Sequence, residues 1–280
     1  MKIALVVNFE KDKSVDIAKK TIDMISSKAE ILCDENTYNV LKNRCISISK
    51  TPFEECDICI IIGGDGTILH NAKNASLHGK EILGINTGRI GYLAGLEEDE
   101  LDKLLLLFEE KYNTEERIML DVYHKTDKGE HKYIAFNDAV ISKGSLSRMI
   151  DIELFVGEHH IPYRSDGLIM ATPTGSTAYS MSAGGPVVDP SVKNIIITPI
   201  CPYSYFTRSL VLPSQTEISV RVDLKDEREA FLNIDGEIAV KISNGETVKI
   251  TQSATKVKLI NLKFNNIYNC LERVTGGYSK

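Results

Sequence analysis

Apolar residues fall in unbroken runs in the first third of the chain and alternate with polar residues thereafter. Ile3-Ala4-Leu5-Val6-Val7 and Ile58-Cys59-Ile60-Ile61-Ile62 are continuous runs, the pattern of strands buried on both faces. Strands are predicted over 2–7, 30–33, 57–62 and 82–86, separated by helices over about 14–27, 37–43 and 67–78. Strands joined through helical crossovers form a parallel sheet covered on both faces. Glu97-Glu98-Asp99-Glu100 then opens a helix running from Leu101 to about Tyr112. Its acids complement the helix dipole, which explains them better than a metal site.

After Glu116 the texture changes to strand-length segments at 117–125, 131–142, 150–156, 167–171, 194–198, 217–222, 230–234, 238–242, 247–251 and 256–262. Gly, Asp, Asn or Pro turns separate most of them. One helical interruption, Ser176 to Ala183, is stopped by Gly184-Gly185-Pro186, and a last short helix is predicted over about 266–273. The expected fold is a Rossmann-like α/β domain with a parallel sheet (residues 1–116) followed by a β-rich domain (117–262). Residues 263–280 are expected to carry a C-terminal helix back to the first domain.

A length of 280 residues accommodates two such domains. The net charge of −6, with no dense Lys/Arg block, argues against a nucleic-acid surface, so any anionic ligand must be met locally. No apolar run approaches the roughly 20 residues that span a bilayer, and the N-terminus enters a strand without a signal-peptide pattern. A cytoplasmic protein without a membrane partner is expected. Among the six cysteines only Cys56 and Cys59 have a suggestive spacing, and no second pair or His cluster completes a zinc set. A redox pair is one reading; Cys59 as a small buried hydrophobe, with Cys56 at the strand entrance, is the other.

The chemistry concentrates in turns. Gly63-Gly64-Asp65-Gly66-Thr67 ends a buried strand and begins a helix, so its glycines let a ligand approach the backbone while the first-turn N–H groups face it. This is a phosphate seat without a Walker lysine, and it contains a carboxylate where an anion would be repelled. Asp65 either caps the helix, faces a cation, or accepts a proton from an attacking hydroxyl. A second turn, Thr87-Gly88-Arg89-Ile90-Gly91, also follows a strand and is expected at the same sheet edge. Asn137-Asp138 interrupts a strand with groups suited to a base edge and ribose hydroxyls, or forms a bulge or Asx turn. Asp166-Gly167 precedes an apolar strand, and Thr172-Pro173-Thr174-Gly175-Ser176-Thr177-Ala178-Tyr179-Ser180 is a second, hydroxyl-rich helix start. Tyr179 could stack on a purine or pack in the core; Arg148 and Arg164 could meet a pyrophosphate or lie solvated on the surface. Asn233 to Glu237 reads as a turn between strands.

In this order the motifs, with Asn86 to Leu93 and Gly184-Gly185, resemble the NAD kinase family over nearly the whole chain. The GGDGT stretch alone is shared with diacylglycerol, sphingosine and phosphofructo-kinases; its order with TPTGSTAYS is specific. The resemblance implies phosphoryl transfer from ATP or polyphosphate to the 2′-hydroxyl of the adenosine ribose of NAD, giving NADP, on the NAD kinase/diacylglycerol kinase-like architecture. By motif, Asp65 is the proton acceptor, and Gly63, Gly64 and Thr67 bind phosphate. Gly66, Asn137, Asp138, Arg148, Arg164, Asp166, Thr174, Thr177, Ala178, Tyr179, Ser180, Met181 and Ser182 bind the dinucleotide, and His70, Tyr92 and Asp235 lie near it. Where the family commonly has Glu after the Asn, this chain has Asp138. The family further implies Mg2+ or another divalent cation, with the metal ligands left unassigned, and a homotetramer. A lipid kinase would need an apolar entrance, at odds with the polar 172–182 segment. A dinucleotide sensor without chemistry would not need the intact Asp65 and glycines.

Overall fold

The computed structural model describes residues 1–10, 13–88, 91–145, 148–203, 208–225 and 228–262. Two compact units divide the chain: Met1–Arg117 with the segment starting at Val257, and Ile118–Lys256.

The first unit alternates β1 (Lys2–Val7), α1 (Lys13–Ile25), β2 (Glu30–Cys33), α2 (Glu35–Leu41), β3 (Ile46–Ile48), α3 (Pro52–Glu55), β4 (Ile58–Gly63), α4 (Asp65–Leu77) and β5 (Glu81–Asn86). Its parallel strands lie in the order β3-β2-β1-β4-β5, extended beyond β5 by the end of a late strand in which Lys258 pairs with Glu81. Strand β4 is buried along its whole length, as its continuous apolar run requires. The chain leaves β1 toward β2 and β3, then returns to place β4 on the other side of β1. Strand order therefore reverses between β1 and β4, and ligands of such sheets bind outside the carboxyl ends at that point. The core joins Ile3, Leu5, Ile60 and Ile62 to Ile17 and Ile22 of α1 and to Leu104 and Leu107.

Residues Glu98–Glu109 form a 3-10 helix kinked at Glu100, where φ is −120° and ψ 15°; Glu97 and Glu100 close a reciprocal capping box. Strand β6 (Asn113–Thr126) carries the chain across the unit boundary.

The second unit continues with β7 (Gly129–Ala135), β8 (Asp138–Lys143), β9 (Ile150–Val156), β10 (His159–Ser165), β11 (Gly167–Ala171), a 3-10 turn at Thr174–Thr177 and α5 (Tyr179–Ser182). It closes with β12 (Asn194–Ile200), β13 (Leu210–Pro213), β14 (Ile218–Asp223), β15 (Ala230–Ile234), β16 (Ile238–Ile242) and β17 (Thr247–Asn261). Six antiparallel strands form one sheet in the order β13-β12-β11-β8-β15-β16. Strands β10-β9-β14-β17 form the other, with β6 pairing β17 and β7. Alternating inward residues of both, among them Ile152, Val220, Leu168 and Leu232, share one core.

The structure differs from the sequence reading in several places. The predicted strand 131–142 breaks at Phe136-Asn137, giving β7 and β8. The predicted helix 176–183 breaks at Ala178 (φ −96°, ψ −128°) because its hydroxyls bond outside the segment: Ser176 to Val188 and Ser180 to Thr198. The segments 247–251 and 256–262 are one strand, since no Gly or Pro parts them. Strands β3, β10 and β13 and the short helix α3 were not predicted; all three strands lie at sheet edges, where Pro162 and Pro213 are tolerated. The predicted 266–273 helix lies outside the described residues. No helix among those described is long and apolar enough to cross a membrane.

Candidate functional site

The glycine turn sits at the strand-order reversal. Gly64 is the N-cap of α4 and no side chain caps that helix, so Asp65, the first helical residue, has a different task. Its carboxylate reaches the second glycine turn: Oδ2 accepts the Tyr92 N–H at 2.8 Å and Oδ1 the Leu93 N–H at 3.1 Å. A β-carbon on Gly91 would lie 2.6 Å from Oδ1, so glycine there lets the carboxylate approach. The two turns are also tied through the backbone, with the Thr87 N–H donating to the Gly63 carbonyl at 3.1 Å. Both turns thus share one sheet edge. Arg89 and Ile90 lie outside the described residues.

Thr67 folds back over Gly63, whose missing β-carbon would otherwise lie 2.6 Å from that of Thr67. The Thr67 hydroxyl accepts a hydrogen bond from Asn8 Nδ2 at 2.9 Å, and Asn71 Nδ2 donates to the Thr67 carbonyl at 2.9 Å. Asn8, Gly64, Gly66, Thr67, His70 and Asn71 line an open cavity of about 510 Å3 at the α4 N-terminus. Asn8 and Asn71 escaped the sequence reading. The position of Asn8, directly after the first strand of a parallel sheet, was the available signal.

In the second unit, Asn137 and Asp138 lie where β7 passes into β8. Asp235 sits in the β15–β16 connection at φ 51°, followed by Gly236 at φ 72°, and the Glu237 N–H closes on the Ile234 carbonyl at 2.9 Å. Two successive left-handed residues closed by that bond make a type I′ turn, as the Asp-Gly pair favours. The turn aims the Asp235 carboxylate at the backbone of Phe136, Asn137 and Asp138. On the other side Gly175 packs on Asn137: a β-carbon there would lie 2.1 Å from the Asn137 carbonyl oxygen. Asp138 is buried; its burial first, and the Asp235 charge second, push its carboxyl up to about 7.

The remaining sequence-predicted positions belong to the second unit. Asp166 pairs with Lys143 at 3.1 Å, Arg164 stands 4.0 Å from Asp151, and Arg148 is exposed ahead of β9. Thr174 is buried, while the half-buried Thr177 hydroxyl donates to the Thr174 carbonyl at 3.3 Å. Ala178 holds the break before α5. Tyr179, Met181 and Ser182 are exposed, so Tyr179 is not a core residue. Ser180 is buried, with its hydroxyl 2.9 Å from that of Thr198. Cys56 and Cys59 are both buried, their sulfurs 3.5 Å apart. Among the described residues no three His, Cys, Asp or Glu side chains form a cluster able to hold a metal ion.

Comparison with known proteins matches residues 3–112 to the ATP-NAD kinase N-terminal domain and residues 136–262 to the ATP-NAD kinase C-terminal domain. An NAD kinase of Symbiobacterium thermophilum is 36% identical over 281 residues, covering 99% of each chain. Those of Aquifex aeolicus and Acetivibrio thermocellus are 37% and 32% identical, over 84% and 97% of this chain and 87% and 96% of their own. The fold matches a yeast NADH kinase complexed with NADH at a TM-score of 0.88 and 22% identity, covering 100% of this chain and 89% of that one. It also matches an NAD kinase from Archaeoglobus fulgidus in complex with ATP, at a TM-score of 0.73 and 25% identity, over 100% and 98%.

Proposed function

The chain belongs to the NAD kinase family, and from that premise we propose that it moves a phosphoryl group from ATP or polyphosphate to the 2′-hydroxyl of the adenosine ribose of NAD, giving NADP. The observation that carries the chemistry is the Asp65 carboxylate, held by the Tyr92 and Leu93 N–H groups beside the α4 N-terminus. A carboxylate is too weak a base to remove a sugar-hydroxyl proton outright, so Asp65 orients the hydroxyl and takes its proton as the new O–P bond forms. In a loose phosphoryl transition state, positioning and charge stabilisation dominate. The first-turn amides of α4, opened by Gly63, Gly64 and Gly66, supply fixed dipoles for donor phosphates. Asn137 suits adenine by its paired donor and acceptor, Asp138 suits a ribose diol, and Thr177, Asp166, Arg148 and Arg164 complete the dinucleotide contacts of the reading.

With one carboxylate at the phosphate seat and no three-residue cluster among the described residues, the donor set fits a Mg2+ carried on donor phosphates better than one caged by protein. Asp65 is the residue that would face it, and the ion would neutralise phosphate charge there. A homotetramer belongs to the same reading; the exposed Val211 and Ile238 on edge strands β13 and β16 support it, and sedimentation measures it.

The test is NADP formation by purified protein given NAD with Mg-ATP, beside Mg-polyphosphate and NADH arms. NADP from at least one donor is expected. Intact NAD binding without NADP from either donor would favour a sensor instead.

A further inference from the structure

One carboxylate takes the N–H groups of three consecutive residues: Asp235 accepts from Phe136 at 2.9 Å, Asn137 at 2.7 Å and Asp138 at 3.0 Å. The three carbonyls of the same peptide are also held. Phe136 O accepts the Thr172 hydroxyl at 2.6 Å, Asn137 O the Thr172 N–H at 2.8 Å, and Asp138 O the Asp235 N–H at 2.9 Å. All six backbone polar groups of the β7–β8 junction are therefore bonded to two residues, Thr172 and Asp235, that are remote from it in sequence. Gly175, whose N–H donates to the Thr172 hydroxyl at 3.1 Å, closes the other side.

We propose that Asp235 is a positioning residue for the dinucleotide: its carboxylate is committed to the Phe136–Asp138 backbone, and it sets NAD affinity by fixing how Asn137 and Asp138 present their side chains. This rests on the NAD kinase reading and deepens it. The chemistry selects Asp for two reasons. An ionised carboxylate is acceptor-only and forms short charge-assisted bonds to several N–H groups, whereas an amide offers one oxygen and turns an NH2 against the donors. Asp also tolerates the left-handed conformation that this turn position imposes.

The experiment compares Asp235→Asn and Thr172→Val with the parent, reading KM for NAD, KM for Mg-ATP and calorimetric NAD affinity. KM does not depend on how much of a sample is folded, so a merely structural defect would lower total activity and leave it unmoved. Asp235→Asn loses charge-assisted bonds, and Thr172→Val leaves the Phe136 carbonyl and the Gly175 N–H without their hydroxyl partner; either loss predicts a KM for NAD raised at least about tenfold, with KM for ATP within about twofold. If Asp235→Asn does not accumulate as folded protein, Thr172→Val decides by the same criterion. NAD affinity within about twofold of the parent in the folded variants overturns the proposal while leaving the activity intact. A parent that binds NAD but forms no NADP refutes the activity alone, and calorimetry still decides the role of Asp235. A parent that binds no NAD overturns both.

Discussion

Two acidic side chains do opposite things because their surroundings differ. Asp65 stands half-buried with backbone N–H groups on both oxygens. Replacing it by Asn keeps the shape but removes an acceptor and all capacity to take a proton. Asp65→Asn is expected to fold, retain NAD binding within a few-fold, and lose about 10²–10⁴ in kcat. Near-native turnover would remove Asp65 from the proton-accepting role. Asp138 is buried, with burial first and the Asp235 charge second raising its carboxyl to about 7. An unfolded aspartate ionises near about 4, so between these values the folded chain holds a proton that the unfolded chain has released. Stability from this group therefore falls as pH rises across that window, by at most ~1.4 kcal/mol per pH unit, and levels off above about 7. Asp138→Asn should flatten that slope. Urea midpoints that change equally with pH in parent and variant would count against it.

Secondary-structure elements meet in this protein through missing β-carbons. The first turn of α4 lies over Gly63, and the 174–177 turn lies on the Asn137 peptide through Gly175. For Gly175→Ala the obstructing atom is a backbone carbonyl oxygen at 2.1 Å, which cannot rotate away. That variant is expected to lose at least ~1–3 kcal/mol of stability and to weaken NAD binding, measured by denaturant unfolding and calorimetry. Unchanged values in both would mean that the turn can shift without disturbing Asn137. Gly63→Ala meets a side chain instead, the Thr67 β-carbon at 2.6 Å, so the helix start has to move, and the expected loss falls on the donor: KM for ATP rises more than KM for NAD. The Asp-Gly turn at 235–236 was legible as a hairpin from its residues, but its sequence carried no mark of the backbone that the carboxylate would seize. Likewise Ser176 to Ala183 has the composition of a short helix, and only the partners of its hydroxyls, Val188 and Thr198, divide it.

At the scale of the whole molecule, β17, the last strand among the described residues, serves two cores. Val248 and Ile250 of β17 are buried in the core of the second unit, whereas Ile260 of β17 and the following Leu262 pack in that of the first. A chain ending before Thr247 should therefore lose protease resistance in both units, read by limited proteolysis; a first unit that stayed fully resistant would show that its sheet closes without β17.

Local pattern by itself determined the parallel sheet with its helices, the β-rich remainder, the glycine turn at a strand end and the family, because buried strands, turn chemistry and helix starts are written in neighbouring residues. Three-dimensional folding alone decided that Asp65 answers to Tyr92 and Leu93, that Asn8 reaches Thr67, and that Asp235 and Thr172 grip the Phe136–Asp138 peptide. Those bonds join residues 27 to 99 positions apart. Their geometry depends on strand order and register, which no short stretch of chain encodes.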